Sequence, residues 1–106
     1  MKIFVTDDHE MYLEGLALLL GKQPDIDVKG TARTAADLLA ALPGSEIDVL
    51  LLDVHLPDME EEDLIKEIRK LKPDLKVVYL TLMRGTRYVH KLLKYNIQGY
   101  ILKNAP

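Results

Sequence analysis

Cysteine is absent from the sequence, which rules out a disulfide framework and any thiolate metal site. Long hydrophobic runs are missing too. The run from Leu16 to Leu20 is broken by Gly21 and Lys22, far short of the ~20 apolar residues that a membrane-spanning helix requires. A secretory leader is not expected, because Asp7 and Asp8 follow Met1-Lys2-Ile3-Phe4-Val5 almost at once. Nor is there a basic excess. The 14 Lys and Arg residues face 17 Asp and Glu, a net charge of -3, which argues against non-specific DNA binding by this chain but leaves room for a nucleic-acid-binding domain outside it. Repeats, low-complexity tracts and linkers are not found either. What remains is the composition of a cytoplasmic globular protein, and 106 residues fit one domain.

Four short apolar runs stand out: Ile3-Phe4-Val5, Val49 to Leu52, Val77 to Leu80 and Tyr100 to Leu102. They do not alternate, and β-branched and bulky residues fill them, as in strands buried on both faces of a parallel sheet. A fifth run, Ile26 to Gly30, alternates with Asp27 and Lys29 and reads as an edge strand with one wet side.

Helical patterns lie between the strands. Met11 to Lys22 puts Met11, Leu16, Leu19 and Leu20 near one stripe, ending at Gly21 or before Pro24. Thr34 can cap a second helix through Asp37, Leu38, Leu39 and Leu42, stopped by Pro43-Gly44. A third starts near Met59, carries Leu64, Ile65, Ile68 and Leu71 at helical spacing, and ends before Pro73. Its acidic opening, Glu60 to Asp63, suits the positive end of a helix dipole. A fourth spans roughly 86–95, with Asn96 where a left-handed residue would follow it. The order βαβαβαβαβ with right-handed crossovers gives an α/β doubly wound sheet. A further helix, expected after the fifth strand to cover one face, does not occur before Pro106, which points to a truncated domain.

In such sheets the working groups collect at the carboxyl ends of the strands. Here those ends carry Thr6-Asp7-Asp8, Asp53, Thr81 and Lys103. Each has a plain structural explanation alone: a helix cap, a turn, strand propensity, a solvated lysine. Nothing structural requires all of them on one rim. Clustered carboxylates repel unless a cation joins them, and a thiol-free oxygen donor set favours Mg²⁺. A carboxylate in that setting can act as a nucleophile toward phosphorus, with the metal, a lysine and a hydroxyl neutralising the phosphoryl oxygens.

These residues resemble the receiver domain of two-component response regulators: Asp7-Asp8 after the first strand, Asp53-Val54-His55-Leu56-Pro57, Thr81, and Gly99-Tyr100-Ile101-Leu102-Lys103. Thr6-Asp7-Asp8-His9, Glu14-Gly15-Leu16 and the segment from Gly99 to Asn104 resemble the NarL/FixJ-type subfamily more narrowly. The resemblance spans residues 1–106 and implies a flavodoxin-like five-stranded sheet of order 2-1-3-4-5. It implies that Asp53 is phosphorylated by a sensor histidine kinase or by small donors such as acetyl phosphate. Asp8, Asp53 and the backbone carbonyl of His55 would bind Mg²⁺ directly, and Asp7 mainly through water. Thr81 and Lys103 would contact the phosphoryl oxygens, and Tyr100 would move inward when Thr81 does. The implied output is transcriptional, through a C-terminal helix-turn-helix domain not present in this chain, with homodimerisation on phosphorylation.

The sequence departs from the family at Glu60-Glu61, where an Asp-Gly pair is usual. Glu61 would either strain the turn into the third helix and add charge near the site, or simply open the helix earlier. Asn96-Ile97 replaces a usual Gly-Ala. Arg84, Arg87, Lys91 and Lys94 make the fourth helix basic, either as a signalling surface or as a solvated face. His9 can reach the outer shell of a metal but reads more simply as a cap or an exposed residue; His55, on a strand, should turn its side chain away from that of the neighbouring position, and His90 reads as solvated. Two other functions compete with the receiver switch. An aspartate-nucleophile phosphohydrolase of the haloacid dehalogenase type would need an Asp-x-Asp after the first strand and a substrate cap. A pseudo-receiver, a binding module without phosphorylation, would rest on the Glu60-Glu61 departure.

Overall fold

The computed structural model describes residues 1–53, 56–81 and 99–102. Lys2–Thr6 forms β1, Glu10–Gly21 α1, Asp27–Ala32 β2, Ala35–Ala41 α2, Val49–Asp53 β3, Glu61–Leu71 α3, Lys76–Thr81 β4 and Gly99–Leu102 β5, with a 3₁₀ turn at Leu42–Gly44 after α2. All strand pairs are parallel, in the order β2-β1-β3-β4-β5. The expected α/β architecture and strand order are therefore present. The fourth helix expected over 86–95, its basic residues, His90 and Asn96-Ile97 lie outside the described residues.

The non-alternating strands follow from burial on both faces. Phe4, Leu50, Leu52, Val77 and Tyr79 pack with Leu38, Leu42, Leu64, Ile65 and Ile68 from α2, its 3₁₀ extension and α3. Ile3, Val5, Leu51 and Leu80 point the other way and meet Leu13 of α1. Neighbours in sequence thus enter opposite cores, and each strand must be apolar throughout.

On α1 the expected stripe is corrected. Met11 is 88% exposed and Leu19 62%, whereas Leu13 is buried and Tyr12, Leu16 and Leu20 pack beside it. Residues 13, 16 and 20 form the inner row at i, i+3 and i+7, and the leucine-rich stretch offers too little polar contrast to reveal it. Strand β2 runs on to Ala32, two residues past the run read from the sequence. Its register shifts by one residue between Ile3 and Phe4, and Gly30 lies at that irregularity. A Cβ on Gly30 would sit 2.8 Å from Cε2 of Phe4, so only glycine lets that ring lie against the strand.

Thr34 caps α2 as expected, its Oγ1 accepting from the Asp37 N–H at 3.1 Å. Helix α3 starts at Glu61 rather than near Met59, after an extended Glu60 with φ -65° and ψ 142°. Glu61 is thus simply the first helical residue, where no glycine is needed, and Glu61, Glu62 and Asp63 face the positive helix end while Arg69 and Lys70 occupy the last turn.

Tyr79 is fully buried, and its hydroxyl has no hydrogen-bond partner among the described residues. Burial also pushes its pKa well above the ordinary phenol value. A buried hydroxyl without a partner is destabilising, so Tyr79→Phe is expected to stabilise the fold by about 1 kcal/mol. Urea denaturation of the two proteins checks this; a loss of stability in the variant would mean that the hydroxyl has a partner.

Candidate functional site

Parallel pairing of β1 with β3 sets Thr6 beside Leu52, so the two strands deliver Asp7 and Asp53 side by side at their carboxyl ends. Asp7 is buried and Asp53 only 4% exposed. Asp8, its side chain 33% exposed, sits nearer the solvent. One ligand atom from each of Asp7, Asp8, His9 and Asp53 lies within 4.8 Å of all the others.

Residues 7–9 turn the chain from β1 into α1. The His9 N–H donates to Asp7 Oδ1 at 2.8 Å, which fixes the Asp7 carboxylate against the turn. His9 is the N-cap residue of α1, but its side chain makes no capping hydrogen bond. Its Nδ1 instead lies 3.0 Å from Asp7 Oδ1, 3.1 Å from Asp8 Oδ1 and 3.9 Å from Asp53 Oδ2. Of the readings of His9, exposure therefore holds, whereas the capping bond does not form and the ring instead reaches the acidic cluster.

Carboxylates this close repel. At about 4 Å two unit charges interact with about 1 kcal/mol in water and several times that where the effective dielectric constant is lower. The donor set is oxygen-rich and lacks thiolate, the chemistry of a hard divalent cation. Asp8 Oδ1 is buried without a hydrogen bond, its approach to the His9 ring lacking hydrogen-bond geometry, which leaves an oxygen lone pair for an ion. The residues present therefore fit Mg²⁺.

Thr81 is the last residue of β4, one strand over from Asp53, which pairs with Leu80. Tyr100 lies on β5 opposite Tyr79. The place of Thr81 at the end of β4 and of Tyr100 within β5 is that expected from the sequence. His55 and Lys103 lie outside the described residues.

Sequence reasoning missed Asp58. In the loop after Asp53, its Oδ1 accepts from the Ala35 N–H at 2.9 Å and its Oδ2 from the Ala36 N–H at 3.0 Å. Thr34 satisfies only the Asp37 N–H of that first turn, so the other open donors of α2 needed acceptors from elsewhere. That accounting was the available signal. These two backbone donors hold the Asp58 carboxyl below the usual carboxylate range. A depressed folded-state pKa means that the stabilisation is present above the unfolded value near 3.8 and is lost as pH falls through the folded value. Asp58→Ala is therefore expected to lower the melting temperature by on the order of 5 °C at neutral pH. The gap should narrow below about pH 4, as melts at both pH values will show; an unchanged gap would assign the loss to something other than the charged cap.

Among the described residues no helix is long and apolar enough to cross a membrane. Comparison with known proteins gives a consistent picture. The family model described as the response regulator receiver domain matches residues 3–106. The DNA-binding transcriptional activator DevR/DosR of Mycobacterium tuberculosis is 35% identical over 104 residues, covering 98% of this chain and 48% of that protein. The oxygen regulatory protein NreC of Staphylococcus epidermidis is 34% identical over 107 residues, covering 100% of this chain and 49% of its own length. This chain thus spans about half the length of these relatives. Among solved structures, the isolated REC domain of RcsB from Salmonella enterica serovar Typhimurium, in the presence of the phosphomimetic BeF3-, superposes with a TM-score of 0.90 at 27% identity, covering 100% of this chain and 79% of that one.

Proposed function

This chain belongs to the response regulator receiver family, in its NarL/FixJ-type branch, and on that footing we propose that Asp53 accepts a phosphoryl group from a sensor histidine kinase, as the Mg²⁺-dependent switch of a two-component system. The observation that carries this reading is the meeting of Asp7, Asp8 and Asp53 at the ends of β1 and β3, with donor oxygens within 4.8 Å of one another.

In the transfer, an Asp53 carboxylate oxygen attacks phosphorus while the bond from phosphorus to the donor imidazole nitrogen breaks. The imidazole leaves and takes up a proton, and Asp53 is left as an acyl phosphate. Asp8, Asp53 and the backbone carbonyl of residue 55 would hold Mg²⁺, with Asp7 acting mainly through water. Bound there, Mg²⁺ would offset the charge of the phosphoryl oxygens. The Thr81 hydroxyl and Lys103 ammonium contact those same oxygens, and Tyr100 turns inward as Thr81 is drawn toward the phosphate. A local charge change thereby biases a two-state surface.

The chain acts as a signalling domain, residues 1–106 forming the receiver unit, with no turnover beyond self-phosphorylation from small donors and self-dephosphorylation. The output is transcriptional and is exerted from the cytoplasm, through a DNA-binding helix-turn-helix domain outside this chain and a homodimer formed on phosphorylation. Support comes from relatives described as a DNA-binding transcriptional activator and as RcsB dimers bound to DNA. Helix α3 begins at Glu61 without a turn that needs glycine, which removes a strained turn as a ground for a pseudo-receiver. Incubation with acetyl phosphate and Mg²⁺ tests the proposal. A single phosphoryl group per chain is expected; steady release of phosphate over many turnovers would favour a phosphohydrolase, and no labelling a pseudo-receiver.

A further inference from the structure

Helix α1 is apolar on its outer side as well as its inner one. Leu13, Leu16 and Leu20 serve the core, yet Met11, Leu18 and Leu19 are largely exposed. Met11, Gly15, Leu18 and the C-cap residue Lys22 follow at helical spacing and form one outer stripe. Such a face is ordinarily charged, as it is on α3, where Lys66 and Lys70 are exposed. Gly15 adds an independent observation. Glycine inside a helix weakens it, and a Cβ at this position would meet nothing within 4 Å among the described residues, so their packing does not require the missing side chain. A bare backbone on an outer face permits close approach by another helix.

We propose that this stripe is the surface on which two copies of the chain pair, α1 against α1 in antiparallel order. The inference rests on the homodimer proposed above and names the face that forms it. The stripe is self-complementary about a two-fold axis passing between the levels of Gly15 and Leu18. Under that symmetry Leu18 of each copy lies over Gly15 of the other and fills the space that glycine leaves, while Met11 lies level with Lys22 of the other copy. The charges favour the antiparallel order. Glu10 and Glu14 stand in the first half of the helix and Lys22 at its end, so each Lys22 comes beside the acids of the other copy, whereas parallel pairing would set like charges together. The helix dipoles oppose each other in the same arrangement. A single helical stripe buries less surface than a permanent dimer, which suits an association that a switch turns on.

Sedimentation velocity in Mg²⁺ and beryllofluoride, a phosphoryl mimic, tests this. The wild type is expected to dimerise, and Leu18→Glu to stay monomeric while still taking up one phosphoryl group per chain from acetyl phosphate. Gly15→Ala supplies a second arm. Its added methyl should weaken the dimer by about tenfold, while the melting temperature of the monomer holds or rises because alanine favours the helix. A glycine needed only for the fold would give the opposite split, a lower melting temperature with an unchanged dimer. A dimer that survives Leu18→Glu, or one as tight in Gly15→Ala as in the wild type, overturns the α1 surface, leaves the homodimer standing and assigns the stripe to a different protein. A wild type that stays monomeric overturns both.

Discussion

Asp53→Asn is expected to take up no phosphoryl group from acetyl phosphate in the presence of Mg²⁺, where the wild type takes up one per chain. The side chain keeps its shape, so the change removes chemistry rather than packing. A neutral carboxamide lacks the charge and nucleophilicity that the transfer to phosphorus requires, and it withdraws one ligand charge from the metal site. Asp53 is buried at the end of β3 between Leu52 and the loop to α3, with Asp7 and Asp8 within reach. Replacing a charge by an amide there also relieves repulsion, so the variant should fold at least as stably as the wild type when no divalent ion is present. Intact-protein mass spectrometry alongside thermal melts reads both effects. Labelling of the variant to the wild-type level would place the acceptor elsewhere.

Asp8→Asn should reverse the stability order of two proteins according to the metal present. Without divalent ions it removes one of three mutually repelling carboxylates. Because Asp8 is a third exposed, solvent screens much of that repulsion, and the gain is about 1 kcal/mol rather than several. With Mg²⁺ present the wild type gains in proportion to site occupancy, about 2.7 kcal/mol at a hundredfold excess over the dissociation constant, while the variant gains little. Melts in chelator and in excess Mg²⁺ should therefore cross over. Equal stabilisation of both proteins by Mg²⁺ would remove Asp8 from the metal site.

Burial on both faces made the strands readable. Leu50 and Leu52 enter one core while Leu51 enters the other, so Val49 to Leu52 had to be apolar without alternation, and the same logic yielded the parallel order. The strand-end carboxylates were readable because the topology dictates where strands end. The facing row of α1 was not, because the leucines around Leu13 leave no polar contrast to mark it. Asp58 escaped notice because its partners, Ala35 and Ala36, lie 23 and 22 residues away, and no local pattern encodes a cap supplied across that distance. His9 takes the N-cap position of α1 but its side chain makes no capping bond, and sequence adjacency to Asp7 and Asp8 does not tell which way an imidazole turns. The roles of His55 and Lys103 rest on family resemblance.

Chemical trapping of the phosphorylated protein tests the central claim most directly. Borohydride reduces an aspartyl phosphate to homoserine, which marks the acceptor in the peptide chain. After incubation with acetyl phosphate and Mg²⁺, then borohydride, peptide mass spectrometry should find homoserine at position 53 and at no other aspartate. Homoserine at Asp7 or Asp8, or an unmodified Asp53 in protein that carries phosphate, would contradict the account.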